Sequence, residues 1–167
     1  MRLNMDVLTS RLPAAWHMKK YGGVKKTLNL PRPLLYDSGM ELTKGALYLA
    51  WAEGLSQCPP EVPCSMICVG RCVPKAWIAS GVPLLHISET VSLAEVYNRV
   101  QRTFDIFDQW DNRLRDELEK ETDFDIRKLL LLASDFLHRM ISVVDSNLQQ
   151  LFCVGFDIHS GAHILDL

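Results

Sequence analysis

The sequence predicts a mixed α/β fold: an N-terminal domain on a mixed sheet, a long amphipathic connecting helix, a second helix and a terminal β-hairpin. Three observations predict it. Residues 16 to 88 carry short apolar runs punctuated by Gly and Pro, the pattern of strands and turns. From Ser92 to Glu121 apolar side chains recur at alternating steps of four and three, a helical period. Near the end, Ile141 to Asp145 and Leu151 to Val154 are two β-prone runs flanking Asn147, which reads as a hairpin.

The elements follow in order. Leu3, Val7, Leu8 and Leu12 make one face of a short helix, stopped by Pro13, whose ring clashes with the preceding turn; a lid or edge helix is expected. Strands are expected at His17–Tyr21, Lys25–Leu30, Leu34–Tyr36, Ala46–Ala50, Ser65–Val69, Ala76–Ala79 and Leu84–His86. The runs Leu47–Ala50, Met66–Val69 and Leu84–Ile87 are almost continuously apolar, which fits strands covered on both faces. Gly54, Pro59, Pro60 and Pro63 make residues 54 to 63 a connection.

Ser92-Leu93-Ala94-Glu95 is a capping box, and Val91 with Val96 is its hydrophobic staple, so a helix begins here. The seam runs Leu93, Tyr97, Val100, Phe104, Phe107, Asp111, Leu114 and Leu118, interrupted only by Asp111. At 1.5 Å per residue such a helix extends roughly 45 Å, more than a small domain needs for its own cover. A second copy of the chain is therefore the expected partner, with Leu93, Tyr97, Val100, Phe104, Phe107, Trp110, Leu114 and Leu118 forming the dimer interface. Docking of the same stripe onto the chain's own sheet is the alternative. Within a paired seam Asp111 is costly unless it is hydrated or paired with a base such as Arg115, and it is a candidate to set register. The opposite face, Glu95, Arg99, Arg102, Arg113, Asp116 and Lys120, is solvated. Thr122-Asp123 offers a second cap for a largely buried helix from Phe124 to Leu137. The predicted organisation is a domain over 1–90, a signalling helix over 91–122, and a helix plus hairpin over 123–167.

Composition narrows the function. Hydrophobic residues at 48% and charged residues at 23% over 167 positions require a packed core. A net charge of −2 gives no general attraction for a phosphate backbone, so no direct nucleic-acid binding by this chain is expected. The cluster Lys19, Lys20, Lys25 and Lys26 around Tyr21-Gly22-Gly23 reads as a turn with solvated lysines. No apolar stretch approaches a membrane span and no signal peptide is evident; with an odd count of five cysteines, this predicts a cytoplasmic protein with reduced thiols.

Cys58, Cys64, Cys68 and Cys72 lack the two close pairs of a zinc knuckle, and Cys64, Met66 and Cys68 fall on one face of a strand, so no metal and no cofactor is expected. Cys68 or Cys72 with His86 is the formal nucleophile and base pairing of a rival, enzymatic reading. Tyr48, Trp16 and other aromatics are expected in the core. An apolar small-molecule pocket with polar fixtures would draw on Trp51, Arg71, Trp77 and His86.

Leu3-Asn4-Met5-Asp6-Val7-Leu8, the block Tyr97-Asn98-Arg99-Val100-Gln101 with Phe104-Asp105 and Trp110, and Ile141-Ser142-Val143-Val144-Asp145-Ser146 resemble the N-terminal region of PucR-like bacterial transcription regulators, the purine catabolism regulator and CdaR-related family. The resemblance spans nearly the whole chain and implies an N-terminal sensory region, a connecting helix, the start of a GAF-like or PAS-like module, and a C-terminal helix-turn-helix that reads DNA. The sequence stops at Leu167 before the last two are complete, so a larger regulator is expected. The helix seam predicts a homodimer, and the sensory region that the resemblance implies is expected to bind a small effector. A ligand-free scaffold is the third possibility.

Overall fold

A computed structural model describes residues 2–23, 30–59, 61–88, 90–120, 125–156 and 163–166, with only the backbone described for 156 and 163–166. The chain forms two compact units, Met1–Ile106 and Phe107–Leu167.

The first unit is built on a five-stranded sheet of β1 (Lys19–Tyr21), β2 (Pro33–Leu35), β3 (Leu47–Trp51), β4 (Ser65–Val69) and β5 (Leu84–Ile87), in the order β1-β5-β4-β3-β2. Strands β2 to β5 are mutually parallel and β1 runs antiparallel along β5, making the sheet mixed as expected. The apolar runs occupy its centre. Tyr48, Ala50, Cys64, Met66, Cys68 and Leu84 belong to one buried cluster with Trp77. Their alternates, Leu47, Leu49, Ile67, Val69, Leu85 and Ile87, are also at or near zero exposure. Because strand side chains alternate faces, both faces of the sheet are covered.

Helix α1 (Met5–Ser10) opens on Asn4, whose Oδ1 accepts from the Val7 amide at 2.8 Å. Its Met5 and Leu8 are buried, and Leu3 pairs with Leu30, so this helix is a fixed part of the core rather than a lid. A salt bridge of 2.6 Å from Lys20 to Asp6 joins it to β1. Residues 24–29, most of the strand expected at Lys25–Leu30, lie outside the described residues. The segment Ala76–Ala79, expected as a strand, is instead within helix α2 (Lys75–Ala79). Pro74 precedes it with a fixed φ suited to a helix entry, and Trp77 is carried inward to 1% exposure. Four apolar residues are too few for periodicity to separate the two possibilities.

Helix α3 (Leu93–Leu118) is one uninterrupted element of 26 residues. Ser92 Oγ accepts from the Glu95 amide at 3.1 Å, the serine half of the capping box, and Val91 and Val96, the expected staple residues, are both buried. Its first part supplies cover for the first unit through Val96, Val100 and Phe104, each at 0% exposure. Arg32 binds this stretch from the side, pairing with Asp105 at 2.7 Å.

In the second unit, Trp110 of α3 stacks on Phe136 at 4.3 Å and donates from Nε1 to Leu132 O at 3.2 Å. Helix α4 (Ile126–Leu137) is capped by Asp125, which accepts from the Arg127 amide at 2.9 Å. The alternative cap, Thr122-Asp123, lies outside the described residues. The helix packs on β7 of an antiparallel sheet, β6 (Ile141–Val144), β7 (Gln150–Phe156) and β8 (His163–Asp166), which adds a third strand to the expected hairpin. Burial of α4 departs from expectation: Leu129 to Leu132 are half-buried, Ile126 and Leu137 are 45% and 51% exposed, and Ser134 is its one fully buried described residue. Arg127, Lys128 and Asp135 give this helix a polar face, while its apolar side meets β7 and, through Phe136, the rings of Phe107 and Trp110 of α3. No helix among the described residues is long and apolar enough to cross a membrane.

Candidate functional site

Parallel strands bring their carboxyl ends to a common edge, which in open α/β sheets is where ligands bind. Here that edge holds Leu35, Trp51, Val69-Gly70-Arg71 and Ile87-Ser88, with Trp51 beside Val69 and Val69 beside Ile87 in register. The start of α3 returns to the same edge. Between them lies a depression of about 420 Å³, lined by Leu35, Trp51, Leu93 and Tyr97 among others.

Beside it the loop after β4 is held by side chains. Glu53 Oε1 accepts from the Arg71 amide at 2.9 Å. Gly70 has φ +148, and a Cβ there would lie 2.5 Å from Glu53 Oε2, so a glycine lets the carboxylate close over the loop. His86 donates from Nε2 to Gly70 O at 2.8 Å, which fixes its tautomer and commits that nitrogen to the strand end.

Of the four expected ligand-binding residues, Trp51, Arg71 and His86 therefore gather at one edge, and Trp77 does not. Its ring fills the core and its Nε1 donates to Ser56 O at 2.8 Å, which ties α2 to the β3–β4 connection. Leu35, Glu53, Gly70 and Asn98 were not foreseen, and Tyr97 was foreseen in another role. Trp51 carried the available signal, since it closes an apolar strand run immediately before Ala52-Glu53-Gly54.

The seam residues divide by position. Val100 and Phe104 are fully buried and Phe107, 8% exposed, packs edge-on against Phe136 of α4, so the chain itself already covers this part of the stripe. Leu93, Tyr97, Trp110 and Leu114 are half-buried, and Leu118 is 59% exposed. Asp111 is paired with Arg115 at 3.1 Å.

Cys64 and Cys68 sit in the core, whereas Cys58 and Cys72 are exposed. Burial pushes the Cys68 thiol up, with Cys64 adding to the effect. Burial likewise raises Cys64, partly opposed by a backbone hydrogen bond. Although Cys68 and His86 are register neighbours, His86 gives its Nε2 to Gly70 and the Cys68 thiol stays protonated at neutral pH, a poor nucleophile. Two outcomes follow. A chromogenic disulfide reagent added to the folded protein is expected to titrate Cys58 and Cys72 rapidly and Cys64, Cys68 and Cys153 only on unfolding; fast reaction of four or more thiols contradicts the burial. Because folding raises these pKa values, the two core thiols contribute stability that is present below about pH 9 and lost as pH climbs beyond it. The fall in urea midpoint between about pH 8 and pH 10 is therefore expected to shrink in Cys68→Ala.

No family model, curated protein or solved structure matches this chain.

Proposed function

We propose that the chain is the sensory and dimerisation region of a PucR-like transcription regulator: it binds a small effector in the first unit and relays the bound state through α3 to a helix-turn-helix outside this sequence. One observation carries the proposal. A single unbroken helix contributes its first part to the core of one compact unit and its last part to the next. A shift of that helix on ligand binding is felt in both, because its side chains are core residues at Phe104 and aromatic partners at Trp110. The mechanism is a population shift: the effector favours whichever arrangement of paired helices it binds more tightly.

Pairing draws on the apolar surface that the second unit leaves open, Leu118, Ile126, Leu137 and the half-buried leucines of α4, rather than on Val100 and Phe104. Large apolar side chains left open together on one unit mark a surface that a partner covers. A second copy supplies that cover through a two-fold contact. Sedimentation equilibrium is expected to show a reversible dimer, weakened by about tenfold or more in Leu118→Glu, because an unpaired carboxylate in an apolar interface costs well over the roughly 1.4 kcal/mol of a tenfold change. A strict monomer at the highest accessible concentration overturns the pairing.

A further inference from the structure

Two large apolar side chains stand unusually open at the carboxyl edge of the parallel strands. Trp51 is 45% exposed at the end of β3 and Leu35 is 54% exposed at the end of β2. They form one wall of the depression of about 420 Å³, Leu93 and Tyr97 of α3 form the other, and Asn98 stands at its rim. That volume is within the roughly 300–1,000 Å³ range of small-molecule sites.

From Tyr97 a polar chain leads away along the surface of α3. Gln101 Nε2 donates to Tyr97 Oη at 2.9 Å, Arg32 Nη1 donates to Gln101 Oε1 at 2.9 Å, and Arg32 Nη2 pairs with Asp105 Oδ1 at 2.7 Å. It starts at the depression and ends at Asp105, one residue before the first unit closes at Ile106.

We infer that this depression binds a small planar aromatic molecule carrying one hydrogen-bonding edge group, and that the chain Tyr97–Gln101–Arg32–Asp105 reports its occupancy along α3. The site stands on its own geometry; the reporting half rests on the sensory proposal above. The walls select the ligand class. Trp51 and Tyr97 bring two aromatic rings to the lining, whose quadrupoles favour stacked or edge-on aromatic partners. Asn98 carries both a donor and an acceptor, so its amide meets either kind of polar atom on a ring edge. An ion would lose hydration against Leu35, Trp51 and Leu93 with no opposite charge in those walls to replace it, which disfavours charged ligands. Tyr97 is the positioning residue: a ring seated against it bears on a hydroxyl already engaged by Gln101.

The test is an amide and indole N–H titration of the isotope-labelled full chain with indole. Saturable shifts are expected at the Trp51 indole N–H and the amides of Tyr97 and Asn98, with smaller ones at Asp105 and Ile106. Leu35→Glu and Trp51→Ala, both at exposed positions, are each expected to weaken binding by about tenfold or more while leaving the rest of the spectrum in place. Tyr97→Phe keeps the ring and loses the hydroxyl; indole affinity is expected to stay within about threefold while the shifts at Asp105 and Ile106 disappear. Shifts that rise linearly with indole over the whole surface, or unchanged affinity in both wall variants, overturn the site. Equal binding of cyclohexanol overturns the planar class, and Asp105 shifts that persist in Tyr97→Phe overturn the relay. Concentration-dependent shifts at Trp51 without indole would mean that a second copy occupies the depression, which also overturns the proposal. A dimer that fails in sedimentation leaves indole binding untouched, so the two proposals fail separately.

Discussion

Replacing Phe104 by alanine is expected to lower the unfolding free energy of the first unit by about 3–5 kcal/mol, the cost of deleting a fully buried ring and leaving a cavity. The ring is at 0% exposure, with the Arg32 guanidinium 5.8 Å from its centroid and Val100 equally buried one turn earlier. The same stripe behaves differently farther along. Leu118 is 59% exposed, so Leu118→Ala is expected to change the stability of the isolated chain by no more than about 0.5 kcal/mol. Urea unfolding followed by far-UV circular dichroism, at concentrations low enough to keep the chain monomeric, gives both values. A cost below about 1 kcal/mol for Phe104→Ala contradicts its place in the core. Equal costs at the two sites would mean that the stripe has one role throughout rather than two.

The second large effect is expected at Gly155. Its φ is +155, and a Cβ there would lie 2.5 Å from the Met140 Cα and 3.0 Å from Ser134 Oγ. Backbone cannot step aside as a flexible side chain can. Ser134, fully buried, already uses its hydroxyl to donate to Arg139 O at 2.6 Å where α4 turns toward β6. Gly155→Ala therefore adds backbone strain and a steric clash at one point, together about 2–4 kcal/mol. The second unit has little surplus to absorb it, since α4 buries one residue fully among those described. Loss of amide protection in β6 and β7, with the first unit's protection retained, is the expected readout. Unaltered protection in both strands contradicts the close approach of α4 to β7.

Local chemistry made much of this fold legible. The start of α3 is written in four consecutive residues, Ser92 to Glu95, whose hydrogen bond depends on no distant partner. The central strands were legible because runs such as Met66–Val69 are apolar at every position, which requires cover on both faces. Where distant partners decide, sequence was silent. Ala76–Ala79 is too short a run for its period to show, and the helix it forms is anchored by Trp77, whose indole reaches the Ser56 carbonyl 21 residues away in the chain. The leucines of α4 signalled a buried helix, yet burial depends on how much surface the neighbours provide, and here β7 and the aromatics of α3 leave Leu129 to Leu132 half-buried.

The site was legible in part for the same reason. Trp51, Arg71 and His86 announced themselves as polar or aromatic residues at strand ends. Leu35, Tyr97 and Asn98 join Trp51 across more than sixty positions of sequence, and only the parallel order β2-β3 and the return of α3 bring them together. Tyr97 obeyed the seam periodicity, so nothing in its spacing separated a pocket wall from a dimer contact. Parity of burial along the finished helix does, with Val96, Val100 and Phe104 inward and Tyr97 at the rim.

The division of α3 into an inward-packed first part and a last part proposed to pair with a second copy is tested most directly by hydrogen exchange, residue by residue along the helix, over a range of protein concentrations. Amides from Val100 to Phe104 are expected to be protected equally at every concentration, and those from Leu114 to Leu118 to gain protection as concentration rises. Protection at Leu114 to Leu118 that is independent of concentration would contradict the account.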